Sequence, residues 1–252
     1  MASARGVFGR LALIAALAVW GGAATWQVVA GGAESAQVSA FSAAGGEFPP
    51  GWIPLTFPKI ASHTQYAVVR DDDLWVVRAT SQAAASGMRF AVRVDLAQQP
   101  ILHWRWKVEN VLRAGNAAQK SGDDYAARIY VTFEYQPEKV SWFRRAKYLT
   151  GRRIFGEIPI AAINYIWASH AKRGAIIDNA FAGDFAKMIV IESGGEHLGR
   201  WREAERNVYR DYLLAYGETP PPVNGVAIMT DTDNTGERAV AFYGDIAFRA
   251  AD

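Results

Sequence analysis

Apolar and polar residues alternate along much of the chain, and the alternation is cleanest between Tyr125 and Tyr135. Tyr125, Ala127, Ile129, Val131, Phe133 and Tyr135 fall on one side, and Arg128, Tyr130, Thr132 and Glu134 on the other. A period of two is the mark of a strand with one packed face. Ile101–Val108 repeats it, setting Leu102, Trp104, Trp106 and Val108 against His103, Arg105 and Lys107. A slip of one residue there would bury three cations, so the register is firmly specified. The same pattern predicts strands at Thr64–Arg70 and Leu74–Ser81 around the turn Asp71-Asp72-Asp73, and at Ser86–Val94, Ile160–Ala168 and Lys187–Glu192. Val226–Thr230 and Ala239–Phe248 read as a closing hairpin whose tip carries Asp231, Asp233, Asn234 and Gly236.

Two stretches depart from this period. Trp201–Tyr216 reads as a helix, with Trp201, Val208, Tyr212 and Ala215 near one side, Glu203 and Arg206 pairing across a turn, and Gly217 with Pro220–Pro222 ending it. Lys139–Arg153 interleaves Arg144, Arg145, Lys147, Arg152 and Arg153 with Trp142, Phe143, Tyr148 and Leu149. It reads either as a basic amphipathic helix touching a membrane surface or as a solvated insertion packing its aromatics on the sheet. Many strands and one or two peripheral helices predict a mainly β protein, a jelly-roll-like antiparallel β-sandwich.

The first 40 residues carry a targeting pattern. Arg5 and Arg10 precede the apolar run Leu11–Ala24, and Val28 with Ala30, or Val38 with Ala40, offers a cleavage site. The stretch reads as a signal peptide or an N-terminal anchor, predicting an exported protein with a further route to membrane contact. Residues 41–50, at the end of a Gly, Ala and Ser-rich stretch, read as a linker, leaving residues 51–252 as one domain. With 27 Lys+Arg against 25 Asp+Glu the chain lacks the basic excess of a dedicated nucleic-acid binder. The absence of cysteine removes disulfides, thiolate chemistry and cysteine zinc sites.

The segments Gly122–Phe133, Leu198–Tyr212 and Gly225–Gly236, with Gly51–Phe57 and Ala85–Gly87, resemble a bacterial family known as domain of unknown function 3047. The resemblance spans roughly residues 51–248 and implies an exported bacterial single-domain protein, without implying an activity. The strand Tyr243–Ile246 is also similar to one that closes several carbohydrate-binding modules, which brings Tyr243 and Asp245 forward as ligand-binding candidates.

The polar face of Tyr125–Tyr135 is the other candidate surface. Arg128, Tyr130 and Glu134, with Asp124 just ahead of the strand and Trp167 on a later one, supply cation, hydroxyl, carboxylate and aromatic ring for a glycan or cell-wall ligand. The bland reading is a solvated face with a cross-strand ion pair. Asp231, Asp233 and Asn234 place oxygens at the spacing that opens a calcium loop, making calcium the one candidate cofactor, but Phe242 occupies the position of the closing bidentate Glu. An ordinary turn explains the same residues. Two alternatives stand beside binding. One is a glycan-active enzyme, either a hydrolase using acids from separate strands or a lyase acting on uronates through Arg128 and Tyr130. The other is a structural partner of other envelope proteins that uses the basic insertion. No H-E-x-x-H or G-x-S-x-G pattern occurs.

Overall fold

A computed structural model describes residues 36–136 and 161–251. The targeting stretch up to residue 35 and the basic insertion at 139–153 lie outside the described residues. The strands are β1 (Ala36–Ser39), β2 (Trp52–Leu55), β3 (Gln65–Asp71), β4 (Leu74–Gln82), β5 (Ala85–Val94), β6 (Ile101–Val108) and β7 (Ala127–Phe133). After these come β8 (Ala162–Ala168), β9 (Ile176–Asn179), β10 (Gly183–Ser193), β11 (Arg202–Asn207), a helix α1 (Val208–Tyr216), β12 (Val223–Asp231) and β13 (Arg238–Arg249). They form two layers. A six-stranded sheet runs β11-β6-β13-β4-β3 with β1 on β13, and a seven-stranded sheet runs β2-β5-β12-β7-β8-β10-β9. The mainly β sandwich expected from the alternation is therefore present. Among the described residues no helix is long and apolar enough to cross a membrane.

Apolar positions of the alternating strands meet between the layers. Trp104 and Trp106 of β6 stack edge to face with centroids 5.4 Å apart. Trp104 then meets Tyr165 of β8 at 5.1 Å and Trp106 meets Trp167 at 6.0 Å. These rings join Leu102, Ile129, Val131, Phe133, Val226 and Ile228 in one core. Gly87 shows why that position tolerates no side chain: a Cβ there would come within 2.7 Å of the Ile228 carbonyl oxygen across the β5–β12 pair.

Four expectations change. The linker expected at 41–50 is not free, because Phe41 is wholly buried and the chain has already entered the sheet at Ala36, which pairs with Phe248. Its Ala and Ser content hid Val38 and Phe41, the two side chains that anchor it. Trp201–Tyr216 divides into β11 and α1. Arg202–Asn207 alternates with period two, and Glu203 and Glu205 fall opposite Arg105 and His103 of β6, so cross-strand charge outweighs helix propensity. Helix α1 starts only where Asn207 caps it, accepting from Arg210 N at 2.9 Å, and it stops at Gly217 with φ 72°.

The third change concerns pairing. β8 and β10 are parallel, because the β9–β10 hairpin lays its second strand beside β8. The fourth concerns β12 and β13, which are not a hairpin. β12 lies between β5 and β7 in one sheet, and β13 between β6 and β4 in the other. The acidic loop between them crosses from layer to layer. Beside it the Ser81 hydroxyl lies 2.8 Å from that of Thr232 and donates to the Ala84 carbonyl at 2.8 Å, closing that end with buried hydroxyls.

Candidate functional site

Strand β7 sends Ala127, Ile129, Val131 and Phe133 into the core, leaving Arg128, Tyr130 and Thr132 on the outer side of the seven-stranded sheet. The alternation fails at Tyr125: Ala126 joins the core, whereas Tyr125 packs with Ile166, Ala168 and Met188 on the outer side. This outer face is not a solvated surface, because every residue of β7 is buried.

Arg128 is wholly buried and organises the face. Its Nε donates to Asp231 Oδ1 at 2.8 Å and its Nη2 to Asp231 Oδ2, a two-pronged pair that needs the ionised carboxylate. Nη2 also donates to the Asp123 carbonyl at 2.8 Å and Nη1 to the Tyr130 hydroxyl at 3.1 Å, while the Tyr125 ring centre lies 4.3 Å from Cζ. Burial opposes the charge on Arg128, but the Asp231 carboxylate, followed by Tyr130 and Asp123, outweighs it and pushes the guanidinium pKa up. Asp231 reaches this position from the end of β12, and its Oδ1 also accepts from Tyr125 N at 3.1 Å.

The loop after β12 is fixed from outside. Asp124 Oδ1 accepts from Asn234 N at 3.3 Å and from Asn234 Nδ2 at 3.0 Å, and Oδ2 accepts from Thr235 N at 2.6 Å. Asp124, Asp231 and Asp233 gather with one oxygen each inside 4.8 Å. Asn234, grouped with them in the sequence reading, turns its amide nitrogen toward Asp124. Calcium takes six to eight oxygens. Here the oxygens of Asp231 and Asp124 already accept hydrogen bonds, and Asp233 Oδ1 is the buried oxygen of the trio without a partner.

Burial first, and the neighbouring Asp124 charge second, push Asp233 up to about 6. A carboxyl whose pKa is higher in the folded than in the unfolded state is most stabilising when protonated, and that stability fades as pH climbs through the folded value. Asp233→Asn should therefore stabilise the protein by about 1 kcal/mol at pH 7.5, after allowance for solvent screening of this half-buried group, and by less at pH 4. Thermal melts of both proteins at the two pH values check this. A cation held by the trio reverses the sign at pH 7.5, so the same melts with millimolar calcium or with chelator test the calcium expectation.

The other expected ligand residues scatter. Glu134 pairs with Arg93 at 2.8 Å, on the order of 20 Å along the strand from Arg128. Trp167 is sealed in the core with its indole N–H on the Gly194 carbonyl at 3.1 Å. Tyr243 is buried between the layers, its hydroxyl donating to the Met229 carbonyl at 2.6 Å and accepting from Arg128 N at 3.3 Å. Asp245 accepts from Ser42 N at 2.8 Å and fastens the segment after β1. These three hold the fold together, correcting their placement against a sugar.

Asp123 and Asn179, by contrast, join the cluster unannounced. Asp123 Oδ2 accepts from Asn179 Nδ2 at 3.1 Å, and burial pushes its carboxyl up to about 6. The adjacent acids before β7 were the available signal. Next to this cluster a groove of about 280 Å³ opens between Gly115–Ala118 and Ala168–Ala171, with Tyr125 and Ile177 in its lining.

The molecule is thus a two-layer β-sandwich with an ion-paired cluster buried on its outer face and a small groove beside it. It belongs to the family described as "Protein of unknown function (DUF3047)", which matches residues 50–247. No curated protein matches the chain. Among solved structures it is similar to a family 11 carbohydrate-binding module from a cellulosomal cellulase of Clostridium thermocellum, at 7% identity and TM-score 0.39, over 88% of this chain and 97% of that one. A family 30 module from the same organism gives 10% identity, TM-score 0.42 and coverage of 86% and 98%. The xyloglucanase domain of NopAA from Sinorhizobium fredii gives 8%, 0.40, and 84% and 100%.

Proposed function

We propose that the protein is an exported envelope component that binds a glycan or another cell-wall component through its sandwich, without catalysis. The observation that carries the reading is the groove, where Tyr125 is backed by the Arg128 guanidinium and Asn116, Ser169 and His170 add polar groups. Sugar recognition needs an aromatic or apolar wall with a few polar groups converging on it. The basic residues and apolar run at the N-terminus support export. The commitments of the charged groups support a role without catalysis. Arg128 is wholly buried and paired with Asp231, which weighs against its meeting a uronate as a lyase would need. Glycosidases flank an open bond with two carboxyls about 5–9.5 Å apart, whereas Asp123, Asp124 and Asp231 are buried.

A glycan array of bacterial and plant polysaccharides tests the reading. Calcium-independent retention of a subset is expected, and a blank array, with and without calcium, overturns it. One observation favours a hydrolase as the second reading: Asp123 is poised near pH 6 beside a groove-lining tyrosine. Release of reducing ends that disappears in Asp123→Asn would establish that reading instead.

A further inference from the structure

Helix α1 is turned against the usual rule for a surface helix, which buries apolar side chains and shows its charges to water. Its acid, Asp211, is buried, accepting from the Tyr165 hydroxyl at 2.8 Å and from Arg206 Nε at 2.9 Å. Val208 and Tyr212 enter the core beside it. That leaves Arg210, Leu213 and Leu214, neighbours on one helix face, pointing outward. Leu214, at 73%, is the most exposed large apolar side chain among the described residues, and Leu213 follows at 44%. Lone exposed leucines are ordinary, but an adjacent pair on one helix face is an apolar patch that a partner can cover.

The position of this face narrows what covers it. α1 closes one end of the sandwich: Tyr212 meets the ring of Phe133, at the end of β7, with centroids 4.6 Å apart, and the Tyr216 hydroxyl donates to the Ala162 carbonyl, at the start of β8, at 2.8 Å. The basic insertion with Arg144, Arg145, Lys147, Arg152 and Arg153 falls between those two strands in the chain, so it is rooted at α1. The N-terminal stretch arrives there as well. Ala36, Phe248, Leu102 and Arg206 stand in one row across β1, β13, β6 and β11, which puts Ala36 about 14 Å from the strand that leads into α1. The apolar run Leu11–Ala24 ends about a dozen residues earlier, at most about 40 Å of extended chain. While that run is in a bilayer, this end of the molecule is held beside it. We propose that the α1 end docks on a lipid bilayer, with Leu213 and Leu214 entering the headgroup–acyl boundary and Arg210 reaching the lipid phosphates. The groove beside Tyr125 lies past the other end of β7, roughly 25 Å away, so docking leaves it clear of the membrane. The docking does not rest on the glycan reading.

The chain has no cysteine, so one introduced at a chosen position takes a polarity-sensitive fluorophore there alone. The full chain is labelled at Leu214→Cys, at Arg210→Cys or, by the groove, at exposed Ala118→Cys, and mixed with vesicles of phosphatidylethanolamine and phosphatidylglycerol. The N-terminal run can hold the chain on vesicles unaided, so the response of each label, rather than attachment, is the readout. Labels at 214 and 210 should shift to the blue and lose intensity to a quencher carried at headgroup depth, and the label at 118 should do neither. Leu213→Ser together with Leu214→Ser should remove the response at 210 and leave the melting temperature unchanged, since both leucines are exposed. A label at 214 that stays in water on vesicle-bound chain overturns the proposal, as does a label at 118 that responds equally. Chain that never attaches to vesicles overturns it too. A response at 214 that grows with protein concentration in the absence of lipid gives the face to a second copy of the chain instead. None of these outcomes touches the glycan reading, which the array decides separately.

Discussion

Arg128→Met is expected to destabilise the protein by about 3–5 kcal/mol, the usual cost of removing one partner from a buried ion pair. The loss exceeds that of one contact because of what stays behind. Asp231 keeps its position with no cation facing it, and Asp123 loses the donor to its carbonyl oxygen. Arg128→Lys should recover only part of the stability, since one ammonium cannot reach Asp231, the Tyr130 hydroxyl and the Asp123 carbonyl with the geometry of a guanidinium. The double variant Arg128→Met with Asp231→Leu should be more stable than Arg128→Met alone, because it removes the stranded charge along with its partner. Urea unfolding of the four proteins measures this. A loss under about 1 kcal/mol for Arg128→Met would mean that the pair is solvated and the cluster is not a sealed unit.

A chain that begins at Phe41 is expected to be about 3 kcal/mol less stable than one that begins at residue 31. It lacks β1, and with it the burial of Ala36 and Val38 and the backbone pairing to β13. Its β13 edge would also stand open over Ile246–Phe248, inviting association with other copies. Two candidate cleavage sites were read from the leader, and the structure gives them different consequences. Processing after Ala30 leaves the strand whole, and processing after Ala40 removes it. If the chain is exported and cut, as we propose, N-terminal sequencing should therefore find a start near residue 31. A start at Phe41 in stable, monomeric material would refute this.

Much of the sandwich could be read directly because period-two alternation reports which face of a strand meets the core. β3, β4, β5 and β6 fell close to the expected positions, and the tryptophans of β6 lie where their spacing put them. What the pattern could not report is which strand sits beside which. Val226–Thr230 and Ala239–Phe248 looked like a hairpin because short separation and an Asp, Asn and Gly-rich link usually mean one. The link instead carries the chain from one layer to the other, and its turn is held by Asp124, a residue distant in sequence.

The site shows the same division. Arg128, Tyr130, Asp124, Asp231 and Asp233 were singled out and do converge, since their residue types are unusual for the places they hold. Their burial was invisible, because a polar face predicts solvent unless the charges that neutralise one another are known. Tyr125 was assigned to the core side by extending the alternation two residues past the true start of β7. Trp167 and Tyr243 were drawn toward a ligand by the chemistry of their rings. Each spends its polar group on a backbone carbonyl instead.

β13 is the interior strand that joins the two halves of its sheet. Without it, β3 with β4 and β6 with β11 are separate two-stranded ribbons, a form that is marginally stable at best in water. A substitution that keeps β13 from pairing should therefore undo the whole layer rather than one strand of it.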